Sequence, residues 1–435
     1  MTSEEIIDIN SITDYYNRFE LNNPILVVNE KHSHTPVNFK QAKAKAIHRW
    51  FTYKEGFSPV FVSDFIERFK TSANPVIFDP FGGIGTTVLE SSILGYNAYS
   101  NDINPLSNYI SIIKNTKYSD RDLEDLRNSL TAFNRSKLIE KATPPYNETV
   151  ISYFDEKTLE FILQIQNWIE GLQSNKVSRL FNLALLTNLE KFSTHRKDGN
   201  GVKRKKKFEP IKSIEEIKEK ISIKIDEFIN DIKRNSNKSK SKVYYQSSFD
   251  KYQLEEKADL VITSPPYANC FDYSKVYLIE LWFGNFFKEK KDQKNFRENS
   301  VMSHVHYKWD IRHSDYGHSL VENEIRQYLS MCKLWNKKIP QMLVGYFSDM
   351  GKVLFELIPN LNIGAKIGIV VGNSVYAGLP IATDILISEI AMKLGYKLIG
   401  IESYRTLTPS SQQLKIMRNK DKNFLRESLI ILKWK

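Results

Sequence analysis

Pro75-Val-Ile-Phe-Asp-Pro-Phe-Gly-Gly-Ile-Gly-Thr-Thr-Val-Leu-Glu90 runs from a short β-branched and aromatic segment through a glycine-rich turn into a helical pattern. Val76 to Phe78 has the composition of a buried strand, and a helix is expected to begin near Thr86 and to stop at Gly95. A strand that turns through glycines onto a helix N-terminus is the first unit of a nucleotide-binding sheet. The glycines let a ligand approach the backbone where the unpaired N–H groups of the helix point outward. The spacing departs from the dinucleotide fingerprint: after Phe81 the usable glycines are Gly83 and Gly85, and no third one follows three residues on. The next expected strand, 97–100, ends in Asn101-Asp102, and a carboxylate at the end of the second strand is where ribose hydroxyls are gripped. The pattern suits an adenosine ligand without a pyrophosphate.

Further strands are expected at 243–246, 259–263 and 366–371, with a late pair near 397–403 and 428–434. Helical patterns alternate with them, which points to a doubly wound α/β sheet. Two spans are too long to be plain connections, 115–240 and 284–350, and loops of that length are normally insertions with structure of their own. The expected division is an N-terminal extension at 1–44, a sheet domain at 45–114, 241–283 and 351–435, and the two insertions.

The second informative stretch is Ser264-Pro265-Pro266-Tyr267, directly after the apolar run Leu260-Val261-Ile262-Thr263. Two prolines end a strand and leave its last carbonyls unpaired. A serine oxygen and a proline carbonyl can accept the two protons of an exocyclic amino group, and a tyrosine face can stack on the ring that bears it. A Pro-Pro turn alone is ordinary loop chemistry; beside the glycine turn it reads as a nucleobase site.

With both stretches the chain resembles the S-adenosylmethionine-dependent DNA amino-methyltransferases, most of all the cytosine-N4 enzymes of restriction-modification systems. The resemblance lies in Asp79 to Thr86, Ser264 to Tyr267, and His48-Arg-Trp-Phe-Thr-Tyr-Lys-Glu-Gly-Phe-Ser-Pro59, the last similar to the segment that closes over the methionine end of the cofactor. It implies a Rossmann-like methyltransferase sheet, S-adenosyl-L-methionine as cofactor, double-stranded DNA as substrate and a separately encoded restriction endonuclease as partner. It also implies that Asp79 meets the methionine amino group, that Phe81, Gly83, Gly85 and Thr86 line the loop, that Asp102 holds the ribose with Ile103 on the adenine, and that Tyr53 or Trp50 covers the methionine. Ser264, Pro265, Pro266 and Tyr267 become the catalytic loop, with the base flipped onto Tyr267. One departure stands out: the acid expected after the third strand is replaced by Ser247-Ser248, with Asp250 the nearest carboxylate. The adenine-N6 enzymes share both loops but normally begin the second with Asp or Asn, so Ser264 favours cytosine. An RNA or protein-glutamine methyltransferase and a non-enzymatic DNA-binding module are the remaining alternatives.

The first insertion carries helical patterns at 158–169, 179–192 and 214–233, the last opened by a capping box from Ser213 to Glu216. Between them lies Ser193-Thr-His-Arg-Lys-Asp-Gly-Asn-Gly-Val-Lys-Arg-Lys-Lys-Lys207, the densest positive charge in the chain. Either it is a solvated tip or it meets DNA phosphates through Lys191, Arg196, Lys197, Lys203, Arg204, Lys205, Lys206 and Lys207. The second insertion holds the histidine-rich stretch 303–318, whose His304, His306 and Asp310 match no standard metal spacing, so no metal is expected. His32 and His34 read as surface loop, 408–413 as a polar loop of no assigned purpose, and Asn373-Ser374 as a strand-end turn.

Composition agrees. The 435 residues carry a net charge of +11 and are 41% hydrophobic, and a pI near 9.2 suits a polyanionic partner. Two cysteines, Cys270 and Cys332, exclude a disulfide framework. Neither is flanked by the proline that presents the nucleophile in ring-carbon methylation. With no apolar span or basic-then-apolar leader, a cytoplasmic protein is expected.

Overall fold

The structure is a computed structural model that describes residues 8–28, 39–54, 56, 58–145, 147–199, 201–235, 239–307, 310–408 and 415–435. The His32/His34 pair and most of the 408–413 loop lie outside them.

Twelve strands are present among the described residues: β1 Ile25–Val27, β2 Ile77–Asp79, β3 Ala98–Asn101, β4 His195–Asp198, β5 Gly201–Arg204, β6 Ser241–Tyr244, β7 Ala258–Thr263, β8 Leu361–Gly372, β9 Ser374–Tyr376, β10 Leu379–Ile381, β11 Lys397–Thr406 and β12 Arg426–Lys433. Eight of them form one sheet in the order β1-β11-β12-β8-β7-β2-β3-β6. All neighbours run parallel except β12, which is antiparallel to both β11 and β8. The order reverses beside β2, the switch point at which open α/β sheets bind ligands. Every sheet strand expected from the sequence is present.

Side chains alternate across this sheet as strand geometry demands. Ile77, Leu260, Ile262, Val370, Leu429 and Ile431 face Phe61 and Phe65 of the helix Pro59–Phe69. Phe78, Val261, Ile369, Val371, Ile430 and Leu432 face the other core, under the helices Ile9–Asn22, Ile339–Leu357 and Thr383–Lys393. Both faces are covered, which explains why the strands read as continuous apolar runs.

Three expectations need correction. The 1–44 segment is more than an extension: Ile12, Tyr16 and Phe19 are buried in the main core, and β1 pairs with β11 as an added edge strand. Three residues are too few to show a period. The helix Ile339–Leu357 packs on Thr383–Lys393 and belongs to the sheet, so the second insertion is shorter than 284–350. Ser213 precedes the helix Ile214–Arg234 without making a side-chain cap, whereas Ser58 does accept from the Phe61 N–H at 3.3 Å, with Pro59 at the first helical position.

The first insertion is not a detached body. Its helices Asp120–Arg135, Glu156–Glu170, Asn175–Phe192 and Ile214–Arg234 share one apolar core with Leu106, Ile110 and Ile113 of Pro105–Asn115, a helix of the sheet domain.

Candidate active site

The carboxyl ends of β2, β3 and β7 meet at a cavity of about 950 Å³ lined by the turns that follow them. In the turn after β2, Gly83 and Gly85 take positive φ angles of 50° and 79°, which non-glycine residues adopt only with strain. Gly85 also touches Pro105–Asn115: a Cβ there would lie 2.2 Å from Ser111 Oγ. Gly82, which the sequence pattern did not single out, is equally confined, since its Cβ would lie 2.6 Å from Ser100 Cβ on β3. Two of the three glycines therefore press the loop onto its scaffold, and Gly83 faces the cavity beside Tyr53.

Asp79 and Asp102 brace this loop. Asp79 Oδ1 accepts from the Phe81 N–H at 3.0 Å and Thr263 Oγ1 at 2.7 Å, and its Oδ2 accepts from Thr87 Oγ1 at 2.7 Å. One carboxylate thus ties β2, β7 and the helix Thr86–Ile93 together. Asp102 accepts the Gly83 N–H at 2.8 Å on Oδ2 and the Asn104 N–H at 2.7 Å on Oδ1. Each carboxylate is pushed up to about 6, with burial outweighing its hydrogen bonds. Each Asp102 oxygen keeps room for a second donor.

Phe81, Thr86 and Ile103 line the same cavity. Its aromatic wall is a set of near-parallel tyrosines. Tyr53 lies 4.7 Å from Tyr277 at 7° and 6.0 Å from Tyr273 at 15°, and Ser107 Oγ donates to its hydroxyl at 3.1 Å. Trp50, the sequence alternative to Tyr53, is withdrawn from the cavity. Its indole packs at a tilt of 43° on Phe228 and donates to Asp231 Oδ2 at 3.0 Å within the helical core.

A smaller cavity of about 270 Å³ adjoins the first and is lined by Ser264, Pro265, Tyr267, Asn269, Phe271 and Tyr273. Ser264, Phe271 and Tyr273 line both cavities, and Pro266 lines the larger one. Tyr267 is half-buried, its hydroxyl donating to Glu427 Oε1 at 3.2 Å. Cys270, three residues on, is buried between Met342 and the Tyr376 hydroxyl, and burial pushes its thiol up to about 11. It is no nucleophile at neutral pH.

Sequence reasoning missed several cavity residues. Asn299, Ser300, Val301, Ser303 and His304, from the second insertion, and Asp272 line the same cavity as the glycine turn. Burial holds the His304 imidazole at about 4, hence neutral. Ser303 and His304 open the histidine-rich stretch noted in the sequence, and no motif marks the others; the residues from 299 to 304 follow the helix Lys290–Glu298, and Arg297 fixes it by pairing with buried Asp272 at 3.0 Å. Ser247 and Ser248 line the cavity, while Asp250 is exposed and outside its lining. Asn373 is structural, donating to Asp384 Oδ1 at 2.9 Å and the Phe424 carbonyl at 2.8 Å. Among the described residues no three His, Cys, Asp or Glu side chains gather as a metal site.

The basic segment folds into the hairpin β4–β5, with Arg196 opposite Lys203 and Lys197 opposite Val202. It packs beside Tyr273–Val276, next to the smaller cavity. Its cations divide by exposure and by partner. Arg196, Lys203, Arg204, Lys206 and Lys207 are exposed, Lys203 pairing loosely with Asp198 at 3.6 Å. Lys197 points inward, bound to buried Glu280 and to Glu190 at 3.1 Å, over the Tyr277 ring at 5.0 Å. Lys205 donates to the carbonyls of Glu190 at 2.7 Å and Ser193 at 2.6 Å, closing the C-terminus of Asn175–Phe192. Lys191 donates to Asn188 Oδ1 at 2.8 Å. Of the cations expected to meet phosphates, Lys197 and Lys205 are already engaged within the fold, by carboxylates and by helix carbonyls respectively.

A parallel-dominated sheet with one antiparallel strand near its edge, a glycine turn after β2, an acid after β3 and a Pro-Pro loop after β7 define a Rossmann-like methyltransferase. Comparison with known proteins narrows the class. The chain belongs to the type II methyltransferases, the methyltransferases of restriction-modification systems: it is 30% identical over 434 residues to the type II methyltransferase M.BsoBI of Geobacillus stearothermophilus, covering 87% of this chain and 84% of that one. It is 28% identical to M.AvaI of Nostoc sp. over 421 residues, 85% and 83% of the two chains, and 22% identical to M.MvaI of Kocuria varians over 406 residues, 84% and 85%. No family model matches. Among solved structures, the rRNA methyltransferase aviRa from Streptomyces viridochromogenes aligns over 93% of this chain and 96% of that one at 8% identity, with a TM-score of 0.32, too low to weigh on the fold. Among the described residues no helix is long and apolar enough to cross a membrane.

Proposed function

We propose that this methyltransferase moves a methyl group from S-adenosyl-L-methionine to the exocyclic 4-amino group of cytosine in duplex DNA. The observation that carries the reading is the junction of the two cavities, where Ser264 lines both. The residues of the larger one fit the cofactor. Asp102 has acceptor capacity left for two ribose hydroxyls, Ile103 and Phe81 offer apolar faces to the adenine, and Tyr53 walls the remaining end. Asp79 bears its negative charge on the same lining, toward the methionine ammonium. Bound there, the cofactor supplies an electrophilic methyl group.

The chain's own residues would do the rest. An amino group conjugated to a pyrimidine is a poor nucleophile because its lone pair is delocalised into the ring. Accepting a hydrogen bond from each of its N–H groups, at Ser264 Oγ and the Pro265 carbonyl, would favour the pyramidal nitrogen whose lone pair aims across the junction. Positioning and fixed dipoles then carry the rate. Tyr267 would stack the flipped base, worth about 1–3 kcal/mol. The outward cations Arg196, Lys203, Arg204, Lys206 and Lys207 would take phosphates beside it, and a separately encoded endonuclease would cut the unmodified sequence. Cys270, neutral and buried, offers no route to ring-carbon methylation. Digests of DNA methylated by the protein test the reading: N4-methylcytosine is expected. N6-methyladenine would overturn the base and keep the mechanism, whereas 5-methylcytosine would overturn both.

A further inference from the structure

Tyr267 sits on a row of residues that crosses three strands at the catalytic edge. Gly372, at the end of β8, pairs directly with Glu427 on β12, and Glu427 pairs on its other side with Arg405 on β11. A Cβ on Gly372 would lie 2.8 Å from both Cδ2 and Cε2 of Tyr267, so only a glycine leaves the ring its seat against the sheet. Directly across the ladder, the Tyr267 hydroxyl donates to Glu427 Oε1 at 3.2 Å, and Arg405 Nη2 donates to the same oxygen at 2.9 Å. The Glu427 side chain is wholly buried and that of Arg405 is 38% exposed. Nothing in fold stability asks for a buried carboxylate here, since such a group is costly to desolvate and a well-packed apolar residue would serve as well. A flat seat for the ring beside a charged acceptor for its hydroxyl fixes both position and tilt.

From this we infer that Glu427 is a positioning residue for the reaction: with Gly372 beneath the ring and Arg405 holding the carboxylate, it sets the angle of the Tyr267 face on which the target base stacks. The inference rests on the base-stacking role proposed for Tyr267. Glu427 belongs to neither cavity's lining and acts through the tyrosine.

The test is a double-mutant cycle read on single-turnover methylation of duplex DNA, with cofactor affinity measured beside it. Tyr267→Phe keeps the ring and removes the hydroxyl, and is expected to slow transfer about tenfold, the size of a lost hydrogen bond to a charged group. Glu427→Gln should slow it in the same direction, and the double variant should be no slower than Tyr267→Phe alone. Cofactor affinity should stay unchanged in all three. A fluorescent cytosine analogue at the target position should brighten in Glu427→Gln as its stack loosens, a change that a purely structural role would not produce. Multiplying effects, an unchanged rate in Tyr267→Phe, or unchanged fluorescence would overturn the inference. Should Glu427→Gln fail to fold, Gly372→Ala, which crowds the ring and leaves the carboxylate, must also slow transfer; a wild-type rate would sink the idea. The base carrying the mark in the wild-type reaction is read separately, so a mark on adenine would overturn the cytosine assignment alone, and the cycle would still decide the role of Glu427.

Discussion

The cavity at the strand ends and the basic hairpin beside it are built on opposite plans. In the cavity, both lining carboxylates accept backbone N–H groups, Asp79 from Phe81 and Asp102 from Gly83 and Asn104, and Asp79 is braced further by the hydroxyls of Thr87 and Thr263. Their positions follow from the path of the chain. In the hairpin, the adjacent cations Arg196 and Lys197 do unrelated work, because a strand turns successive side chains to opposite faces. Arg196 reaches solvent while Lys197, next to it, is clamped between Glu280 and Glu190. A backbone motif carries its geometry with it, whereas the role of a charge depends on the face it lands on.

The largest expected effect divides the hairpin itself. Lys197→Ala leaves the buried Glu280 carboxylate without its cation and should destabilise the protein by about 3–5 kcal/mol, while Lys203→Ala, at a loose exposed pair, should stay within about 0.5 kcal/mol. Chemical denaturation of both variants checks this, and equal losses would erase the division into inward and outward cations.

On the cavity side, Gly85→Ala places a Cβ against Ser111 at a φ of 79°. Backbone strain and overpacking together should cost about 2–4 kcal/mol. A cofactor affinity that falls with stability would confirm that the glycines hold the cavity through packing.

Asp102→Ala tests the ligand contact rather than the scaffold. It should weaken cofactor binding by about 1–3 kcal/mol in calorimetry; unchanged affinity in a folded variant would remove Asp102 from the site.

Subtler is the salt dependence. Replacing Lys203, Lys206 and Lys207 together by Ala should flatten log K for DNA against log salt by about 0.9 for each phosphate that is no longer neutralised. Lys205→Ala should leave that slope alone and lower stability, since its ammonium serves the helix carbonyls. A slope that responds to Lys205 and not to the other three would invert the reading.

The smallest effect is proton linkage. Asp79 and Asp102, raised to about 6 in the fold, contribute stability below the ordinary carboxylate range, and that contribution is lost as pH rises through about 6. In the proposed site ribose hydroxyls would donate to the ionised Asp102 and lower its pKa, so cofactor binding should release protons near pH 5.5 and none near pH 8. Calorimetry in buffers of different ionisation heat reads this directly; uptake instead of release would mean that the carboxyl binds neutral.

How much was legible follows the range of the causes. The strand, glycine turn and helix of 75–95, the acid at 102 and the Pro-Pro loop at 264–267 are local devices: glycine permits positive φ, proline ends a ladder, and an apolar run buries itself. These determined the sheet, the location of the cavity and the methyltransferase class from the sequence alone. Gly82, His304, Asp272 and Glu427 carry no local signature, because each acquires its role from a partner far along the chain: Ser100, the cavity wall, Arg297 and Tyr267 respectively. The withdrawal of Trp50 into the helical core, the edge pairing of β1 and the division of the hairpin's cations depended on which surfaces met in three dimensions. Side-chain chemistry reads out along the chain; which neighbour satisfies it is decided only when the core closes.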